Sequence, residues 1–255
     1  MAKPKSKRVL LTRADNSAVS DALASRGVET VSIPLVKISL GAKSDDASDI
    51  FEEMGRYDWI TFSSANGVRG FFGEFLERFD DIRSLGLARI ACVGEATARE
   101  LGKYHLRADV VPAVSTAADM ARAVAEYETI ENLKILCVIG NLAGNELFEI
   151  LEKHNAIVDE LEVYTTTPAE VDENSPEAGS FREHGADVVV FASPSAVDSF
   201  AKNAEKLALS PKAAKPKIVA IGAKTAAAVE KYGMKVAAVA ASPFPEDIAD
   251  AVCGL

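Results

Sequence analysis

The sequence predicts an α/β protein with two similar parallel-sheet domains, each with helices on both faces of its sheet. Three observations predict this class. Short apolar runs alternate with amphipathic stretches along the 255 residues, which is typical of parallel strands joined by helices. The stretches 58–68 and 187–197 repeat one pattern, an apolar run that stops on serine and then becomes helical. Extended stretches beside Pro34 and Pro168 are long enough to join two domains.

Strands are predicted where a short apolar or alternating run stops at Gly, Ser or Pro, and helices where apolar residues recur every third or fourth position. The predicted strands are 8–12, 28–33, 35–40, 57–62, 89–93, 108–111, 134–139, 157–164, 187–191, 218–221 and 236–239. The predicted helices are 15–26, 44–54, 66–79, 95–101, 116–127, 146–154, 176–184, a helix ending at 207, 224–232 and 246–252.

The internal repeat extends beyond the first two stretches. Residues 90–98 align with 218–226, and 134–136 echo 8–10. This pattern allows a tandem division near residue 130 or an interleaved one, and the two extended crossings favour the interleaved division. We therefore expect a discontinuous first domain, a second domain inserted in it, and a two-stranded hinge. The expected ranges are 1–34 with 169–255, 40–161, and the hinge strands 35–39 and 162–168.

Composition narrows the function classes. A formal net charge of −10 argues against nucleic acid as a partner. No apolar run reaches the roughly 20 residues that span a bilayer, and residues 1–8 are basic without the apolar core of a signal peptide. The three cysteines have no metal-binding or redox spacing. We expect a soluble cytoplasmic protein, or one of the plastid stroma if the chain is a mature form, without metal and without membrane contact.

The repeated stretches predict two anion-binding sites. A strand that ends in hydroxyl groups and turns at once into a helix leaves unpaired N–H groups at the helix start, and such groups bind anions. Helix capping by the serines alone is an equal alternative. If the backbone amides matter most, Ser64→Ala costs little activity and Ala65→Pro costs much. The candidate substrate-binding residues are Ser63, Ser64 and Ala65 in the first copy and Ser193, Pro194 and Ser195 in the second.

Two further strand–Gly–helix junctions occur, at Gly94 and at Gly222. Each Gly allows a close approach of the backbone, and Thr97 or Thr225 lies in the first turn that follows. Neither junction is a phosphate-binding or dinucleotide-binding motif. We therefore add these four residues to the candidate binding residues and expect no cofactor.

Arg13 and Tyr164 are the remaining candidates. Arg13 ends the first strand, where it could bind a carboxylate; a surface ion pair with Asp15 is the alternative. Tyr164 ends a crossing strand, where its phenol could donate a proton to a leaving group; packing within a hinge is the alternative.

These residues together resemble the uroporphyrinogen-III synthase family. Each motif is weak alone, but their order and spacing over essentially the whole chain are specific. The motifs that carry the resemblance are 9–13, 58–68, 93–98, 162–164, 191–197 and 221–226.

The resemblance implies two α/β domains on a two-stranded hinge and a cofactor-free carbon–oxygen hydro-lyase. It also implies a substrate, linear hydroxymethylbilane, which loses water and closes to uroporphyrinogen III with its last pyrrole ring inverted. In this family the Tyr matching Tyr164 is the candidate for assisting hydroxyl loss, and the Gly-x-x-Thr hydroxyls match Thr97 and Thr225. The resemblance further suggests a monomer with hydroxymethylbilane synthase as a transient partner.

The chain departs from the family pattern after its middle strand. The family often has Arg–Gly there and another Arg shortly after, whereas this chain has Ile139–Gly140 and Asn145. A carboxylate-binding cation is therefore missing from that side. Two alternatives stay open at this point: a non-catalytic module that binds a tetrapyrrole or another anion, and a two-domain solute-binding protein.

Overall fold

The structure is a computed structural model that describes residues 6–42 and 47–255. Its strands and helices alternate along the chain, and two short 3-10 turns interrupt them at Met54–Arg56 and Ile82–Leu85. In chain order the elements are β1 Arg8–Leu11, α1 Ser17–Ala24, β2 Glu29–Ser32, β3 Val36–Leu40, α2 Ala47–Glu52, β4 Trp59–Phe62, α3 Ala65–Arg78, β5 Arg89–Cys92, α4 Glu95–Gly102, α5 Ala117–Tyr127, β6 Lys134–Gly140, α6 Glu146–Lys153, β7 Ile157–Pro168, α7 Pro176–His184, β8 Val188–Phe191, α8 Pro194–Lys202, β9 Lys217–Ala220, α9 Ala223–Lys231, β10 Val236–Val239 and α10 Pro245–Cys253.

The chain folds into two units. Unit 1 joins the chain up to Lys37 with Thr167–Leu255, and unit 2 is Ile38–Thr166. The division is interleaved, and its boundaries fall inside the ranges 35–39 and 162–168. That these two segments act as a hinge remains a prediction.

Each unit contains one five-stranded sheet. In unit 1 the order is β10-β9-β8-β1-β2, and every neighbouring pair is parallel. In unit 2 the order is β3-β7-β6-β4-β5, and the pairs among β7, β6, β4 and β5 are parallel. The edge strand β3 is antiparallel to β7. Two hydrogen bonds show this direction: the Gly41 amide donates to the Val163 carbonyl, and the Ala169 amide donates to the Leu35 carbonyl. The expected class is confirmed, with one antiparallel edge strand added.

The internal repeat reappears as a matching arrangement of central strands. In unit 2 the Asp58 carboxylate accepts a hydrogen bond from the Lys134 amide at 2.8 Å. In unit 1 the Asp187 carboxylate accepts one from the Arg8 amide at 2.7 Å. The side chains at these two aspartates thus fix the start of β4 against β6 and of β8 against β1. The aligned sequence stretches therefore correspond to equivalent strands.

Two element predictions are wrong and one is partly outside the described residues. Residues 108–111 form a single bridge, Val110 to Ala91, because the Asp109 carboxylate takes the Ile90 amide that a longer strand would pair. Helix α8 ends at Lys202 and not at 207, since the Asn203 side chain binds the Ser199 carbonyl and caps the helix. Of the predicted helix 44–54, residues 44–46 lie outside the described part.

Unit 2 has an aromatic core built mainly by α3. Phe71, Phe72 and Phe75 of this helix are fully buried. Phe71 and Phe72 pack with Phe62 of β4, and Phe75 packs with Phe72. The helix approaches β7 closely at Gly70, where an added Cβ would lie 2.3 Å from the Val163 carbonyl oxygen. The absence of a side chain at this position therefore sets the distance between α3 and β7.

We expect Gly70→Ala and Gly73→Ala to have opposite effects, although both glycines lie inside α3. Alanine at 70 forces the helix away from β7, and such overpacking costs about 1–3 kcal/mol. Alanine at 73 meets nothing within 4 Å and stabilises the helix by about 0.5–1 kcal/mol. Urea unfolding followed by fluorescence of Trp59, the one tryptophan of the chain, measures both in unit 2. Equal effects of the two substitutions would contradict the close approach at Gly70.

Candidate functional site

The serine-bearing candidate stretches and Arg13 lie where the strand order of each sheet reverses. In unit 2 the chain runs outward from β4 to β5 and then returns to β6 on the other side of β4. In unit 1 the same reversal falls between β1 and β8. Open parallel sheets bind ligands outside the carboxyl ends of their strands at such a point. We call these places the β4–β6 switch point and the β1–β8 switch point.

The two serines of the first copy have different roles at the β4–β6 switch point. The Ser63 hydroxyl donates to the Val138 carbonyl of β6 at 3.1 Å, so it connects the two central strands. The Ser64 hydroxyl caps α3 by accepting a hydrogen bond from the Gly67 amide at 2.9 Å. Ser64 also contacts Tyr164, and this second contact is not part of capping.

Tyr164 is held on three sides. The Ser64 hydroxyl donates to its phenol oxygen at 3.0 Å. Its ring lies flat over Gly140, where an added Cβ would be 2.3 Å from the ring carbon that bears the hydroxyl. The Asn141 side chain continues the β6–β7 pairing by bonding the Thr166 amide at 2.8 Å and the Thr166 carbonyl at 3.1 Å. Together these contacts fix both the ring and the strand that carries it.

This arrangement suits proton donation by the phenol. Because Ser64 supplies the hydrogen in its bond to the phenol oxygen, the phenol hydrogen can go to another acceptor. The same donated hydrogen bond stabilises the negative charge that would develop on the oxygen once its proton has left. Tyr164 is half-buried, so its hydroxyl can reach a ligand from a fixed position.

At the neighbouring junction, steric contact leaves no room for a side chain at Gly94. Gly94 caps α4, and an added Cβ would lie 2.4 Å from the Ser115 hydroxyl oxygen. Thr97 lies in the first turn and is buried. The Arg69 guanidinium of α3 binds the buried Glu100 carboxylate of α4 at 3.0 Å, so an ion pair joins the two helices. Burial opposes ionisation of Glu100, but its hydrogen bonds to Arg69 and Lys103 hold its pKa below the ordinary value.

Unit 1 repeats the geometry of the first copy at the β1–β8 switch point. Ser193 caps α8 with φ −164° and ψ 159°, nearly the angles of Ser64 at −165° and 160°. The Ser193 hydroxyl bonds the Ala196 amide at 3.2 Å and the Ser195 hydroxyl at 2.9 Å. Arg13 follows β1 at the same edge, in a turn closed by Asn16, whose amide donates to the Arg13 carbonyl. Arg13 and Ser193–Ser195 are therefore brought to one edge of one sheet.

The Gly222 junction is wider than its counterpart at Gly94. Gly222 caps α9 in a similar extended conformation, but an added Cβ would meet nothing within 4 Å. Thr225 is buried like Thr97. The glycine at 94 is thus required by packing, whereas the one at 222 leaves space.

The two anion-binding candidates differ in their number of open amides. At the start of α3 the Gly67 and Val68 amides are used by Ser64, which leaves the Ala65 and Asn66 amides open. At the start of α8, Pro194 has no N–H, so Ser195 offers the open amide. Unit 2 is therefore the better candidate for a backbone anion site.

Sequence reasoning missed the supports of Tyr164. In the sequence, Gly140 stands out only within the departure from the family pattern, and no motif marks Asn141. The sequence contains one indication of this contact. A strand that ends in glycine lies beside a strand that carries a large aromatic residue. Ile139 is buried and Asn145 is exposed before α6, so neither position supplies a cation.

Three other observations limit the chemistry. No group of three or more His, Cys, Asp or Glu able to hold a metal occurs among the described residues. Burial raises the pKa of both the Cys92 and Cys137 thiols to about 12, so neither is a nucleophile at neutral pH. In the described part of the chain, no helix combines the length and the apolar character needed to cross a membrane.

Comparison with known proteins identifies related chains. The family model described as uroporphyrinogen-III synthase HemD matches residues 17–250. The chain is 28% identical over 231 residues to the porphyrin biosynthesis protein HemD of Ruminiclostridium josui, covering 89% of this chain but 44% of that protein. It therefore spans less than half the length of that relative. It is 27% identical to the uroporphyrinogen-III synthase of Chlorobaculum parvum, covering 90% of this chain and 91% of that one.

Solved structures agree at the level of the fold. A mutant uroporphyrinogen III synthase from the extremely thermophilic bacterium Thermus thermophilus matches with TM-score 0.62 and 19% identity, covering 98% of this chain and 97% of that one. The uroporphyrinogen-III synthetase of Helicobacter pylori matches with TM-score 0.66 and 15% identity, covering 97% and 99%. Since the family model covers most of the chain and the fold agrees, this protein belongs to the uroporphyrinogen-III synthase family.

Proposed function

We propose that this chain is a uroporphyrinogen-III synthase, which closes linear hydroxymethylbilane to uroporphyrinogen III with loss of water and inversion of the last pyrrole ring. Within the family assignment, the observation that carries the proposal is the phenol of Tyr164, fixed between Ser64 and Gly140 beside the open amides of α3. This arrangement combines a proton donor for the leaving hydroxyl with a site for a carboxylate of the substrate.

The reaction balances without a redox partner. The terminal C–O bond breaks, and the departing hydroxyl takes a proton and leaves as water. The carbon left behind is an electron-poor methylene that the pyrrole π-system stabilises. The substituted carbon of the last pyrrole attacks it, and release, inversion and closure of that ring follow. We assign the proton for water formation to Tyr164, with Ser64 stabilising the phenolate that results. The final ring closure releases one proton from the pyrrole carbon, and this proton restores the phenol.

Most of the rate and all of the selectivity then come from positioning. Hydroxymethylbilane also closes unaided, without ring inversion, so the protein must bring the substituted carbon closer to the methylene than the unsubstituted one. Well-oriented reactants gain roughly 7–11 kcal/mol in the limit. We assign the binding of acetate and propionate carboxylates to Arg13, to the amides following Ser64 and Ser193, and to the junctions at Gly94–Thr97 and Gly222–Thr225.

We further propose that the protein acts as a monomer in the cytoplasm, or in the plastid stroma if the chain is a mature form. Because its substrate closes spontaneously, a transient contact with hydroxymethylbilane synthase would shorten the time during which the substrate is unprotected. The family resemblance supports the monomer and the transient partner, and the composition supports the location.

The direct test of the proposed function is the isomer formed from hydroxymethylbilane. We expect type III uroporphyrinogen in the presence of the protein and type I in its absence, separated by chromatography after oxidation to porphyrins. Type I alone in both reactions would reject the proposal. Tight binding of the product without turnover would instead favour a non-catalytic tetrapyrrole-binding module.

Tyr164 can be tested by two substitutions. Tyr164→Phe retains the ring on Gly140 but removes the proton, and we expect a loss on the order of 100-fold in kcat. Gly140→Ala displaces the ring from Ser64, and we expect a loss on the order of 100-fold in kcat/KM. Steady-state kinetics measure both. Gly144→Ala is the control, because nothing lies within 4 Å of a Cβ there, and unchanged rates in both test variants would remove Tyr164 from the mechanism.

The open amide of Ala65 can be removed without altering the helix start. Proline is native at the equivalent residue 194, after a serine with nearly the same angles, so Ala65→Pro should fold. A hydrogen bond to a charged group contributes about 1.5–3 kcal/mol, and we expect KM for hydroxymethylbilane to rise at least about tenfold. Pro194→Ala is the reciprocal control, which adds an amide and should not raise KM. An unchanged KM in Ala65→Pro would exclude this amide from carboxylate binding.

A further inference from the structure

Unit 1 contains an apolar cavity that the proposed function does not use. Its volume is about 400 Å³, within the range of small-molecule sites. Nine of its lining residues are apolar or aromatic and the tenth is a lysine. They are Phe181, Val189, Phe191, Phe200, Leu207, Leu209, Pro216, Ile218, Met234 and Lys235.

The cavity opens at the end of the sheet away from the candidate site. Pro216 directly precedes β9 and Lys235 directly precedes β10, so both lie at the amino ends of these strands. Lys235 is exposed and Met234 half-buried, whereas Val189 is buried. The candidate residues of unit 1 follow the carboxyl ends of β1, β8 and β9. Occupation of the cavity therefore need not obstruct them.

The cavity exists because unit 1 lacks the aromatic residues that fill the equivalent space in unit 2. Phe191 and Phe200 meet edge to face with centroids 5.3 Å apart, as Phe62 and Phe71 do at 5.4 Å. The next position differs, since Phe72 of unit 2 corresponds to Ala201. This substitution removes one large ring from the space beside Phe191.

Two further differences enlarge this space. Helix α3 has 14 residues and continues to Phe75, whereas α8 has 9 and stops before the equivalent position. Tyr104 stacks on Phe72 at 4.2 Å, whereas the matching Tyr232 is directed outward and bonds Asp198. Three aromatic groups that close the space in unit 2 are thus absent or turned away in unit 1.

The charge at the mouth is positive. Lys235 makes no ion pair with any described residue, and the lining contains no carboxylate. Lys212 and Lys215 lie in the loop that leads to Pro216. On a protein of net charge −10, an apolar cavity with a lysine at its opening is complementary to a molecule with an apolar body and one anionic end.

We propose that this cavity binds an amphipathic monocarboxylate, whose apolar part contacts Phe191, Phe200 and Ile218 and whose carboxylate pairs with Lys235. Such a ligand would stabilise unit 1 by mass action, because it binds the folded state alone.

Decanoate is a suitable probe, and the methionine methyl groups report where it binds. We expect decanoate to shift the NMR signal of the Met234 methyl, while Met54 and Met120, both buried in unit 2, remain unshifted. Ile218→Phe fills the cavity and should weaken decanoate binding at least about tenfold. Lys235→Gln should weaken it about fivefold and leave the binding of decanol unchanged.

A matched pair of substitutions tests whether the cavity of unit 1 can hold a larger side chain that the core of unit 2 cannot. Ile218 pairs with Val189 as Ile90 pairs with Ile60, so the two isoleucines are equivalent. Ile218→Phe should leave the Tm unchanged or higher, whereas Ile90→Phe should lower it because unit 2 has no room. Equal Tm losses, or no shift of Met234 with decanoate, would overturn the proposal. A Met234 shift that depends on protein concentration without decanoate would indicate a second copy of the chain and would also overturn it.

Discussion

The parallel pairing of the two central strands in each sheet is the constraint that determines where the candidate site residues lie. In unit 2 the carboxylate of Asp58 fixes β4 against β6, and in unit 1 that of Asp187 fixes β8 against β1. Once these strands are paired in register, their carboxyl ends meet at one edge, and the helices that follow begin there. The positions of Ser64 and Ser193 are therefore consequences of strand pairing and not of any contact that the serines themselves make.

Both units keep this pairing of central strands, but they differ in the residues at the carboxyl ends of the strands and in the filling of the core. Unit 2 has two open amides at the start of α3, a phenol beside them and a tightly filled aromatic core. Unit 1 has Pro194 in place of one amide and has Arg13 at the edge. In place of the aromatic filling, it has a cavity. This division of features agrees with the proposed substrate, which presents many carboxylates and one departing hydroxyl, because only one of the copies would need a proton donor.

The fold was predictable from the sequence because its evidence is local and repeated. Apolar runs ending in Gly or Ser mark the strands, and the agreement between the copies gave each prediction a second, independent check. The failures occurred where a side chain bonds a backbone group at the border of an element, as the Asp109 carboxylate does with the Ile90 amide and the Asn203 side chain with the Ser199 carbonyl. Such side-chain bonds depend on three-dimensional neighbours, so no periodicity in the chain predicts them.

The candidate site was predictable as a set of positions but not as a set of contacts. The sequence led to Ser64 and Tyr164 separately, and it predicted that the Ser64 side chain matters little because the backbone amides after it were expected to bind the anion. The hydrogen bond between these two residues changes that interpretation. A hydroxyl that accepts from the Gly67 amide has its own hydrogen directed elsewhere, and here it is directed to the phenol. Capping and support of the proton donor are thus two uses of one hydroxyl group, and the first orients the hydroxyl for the second.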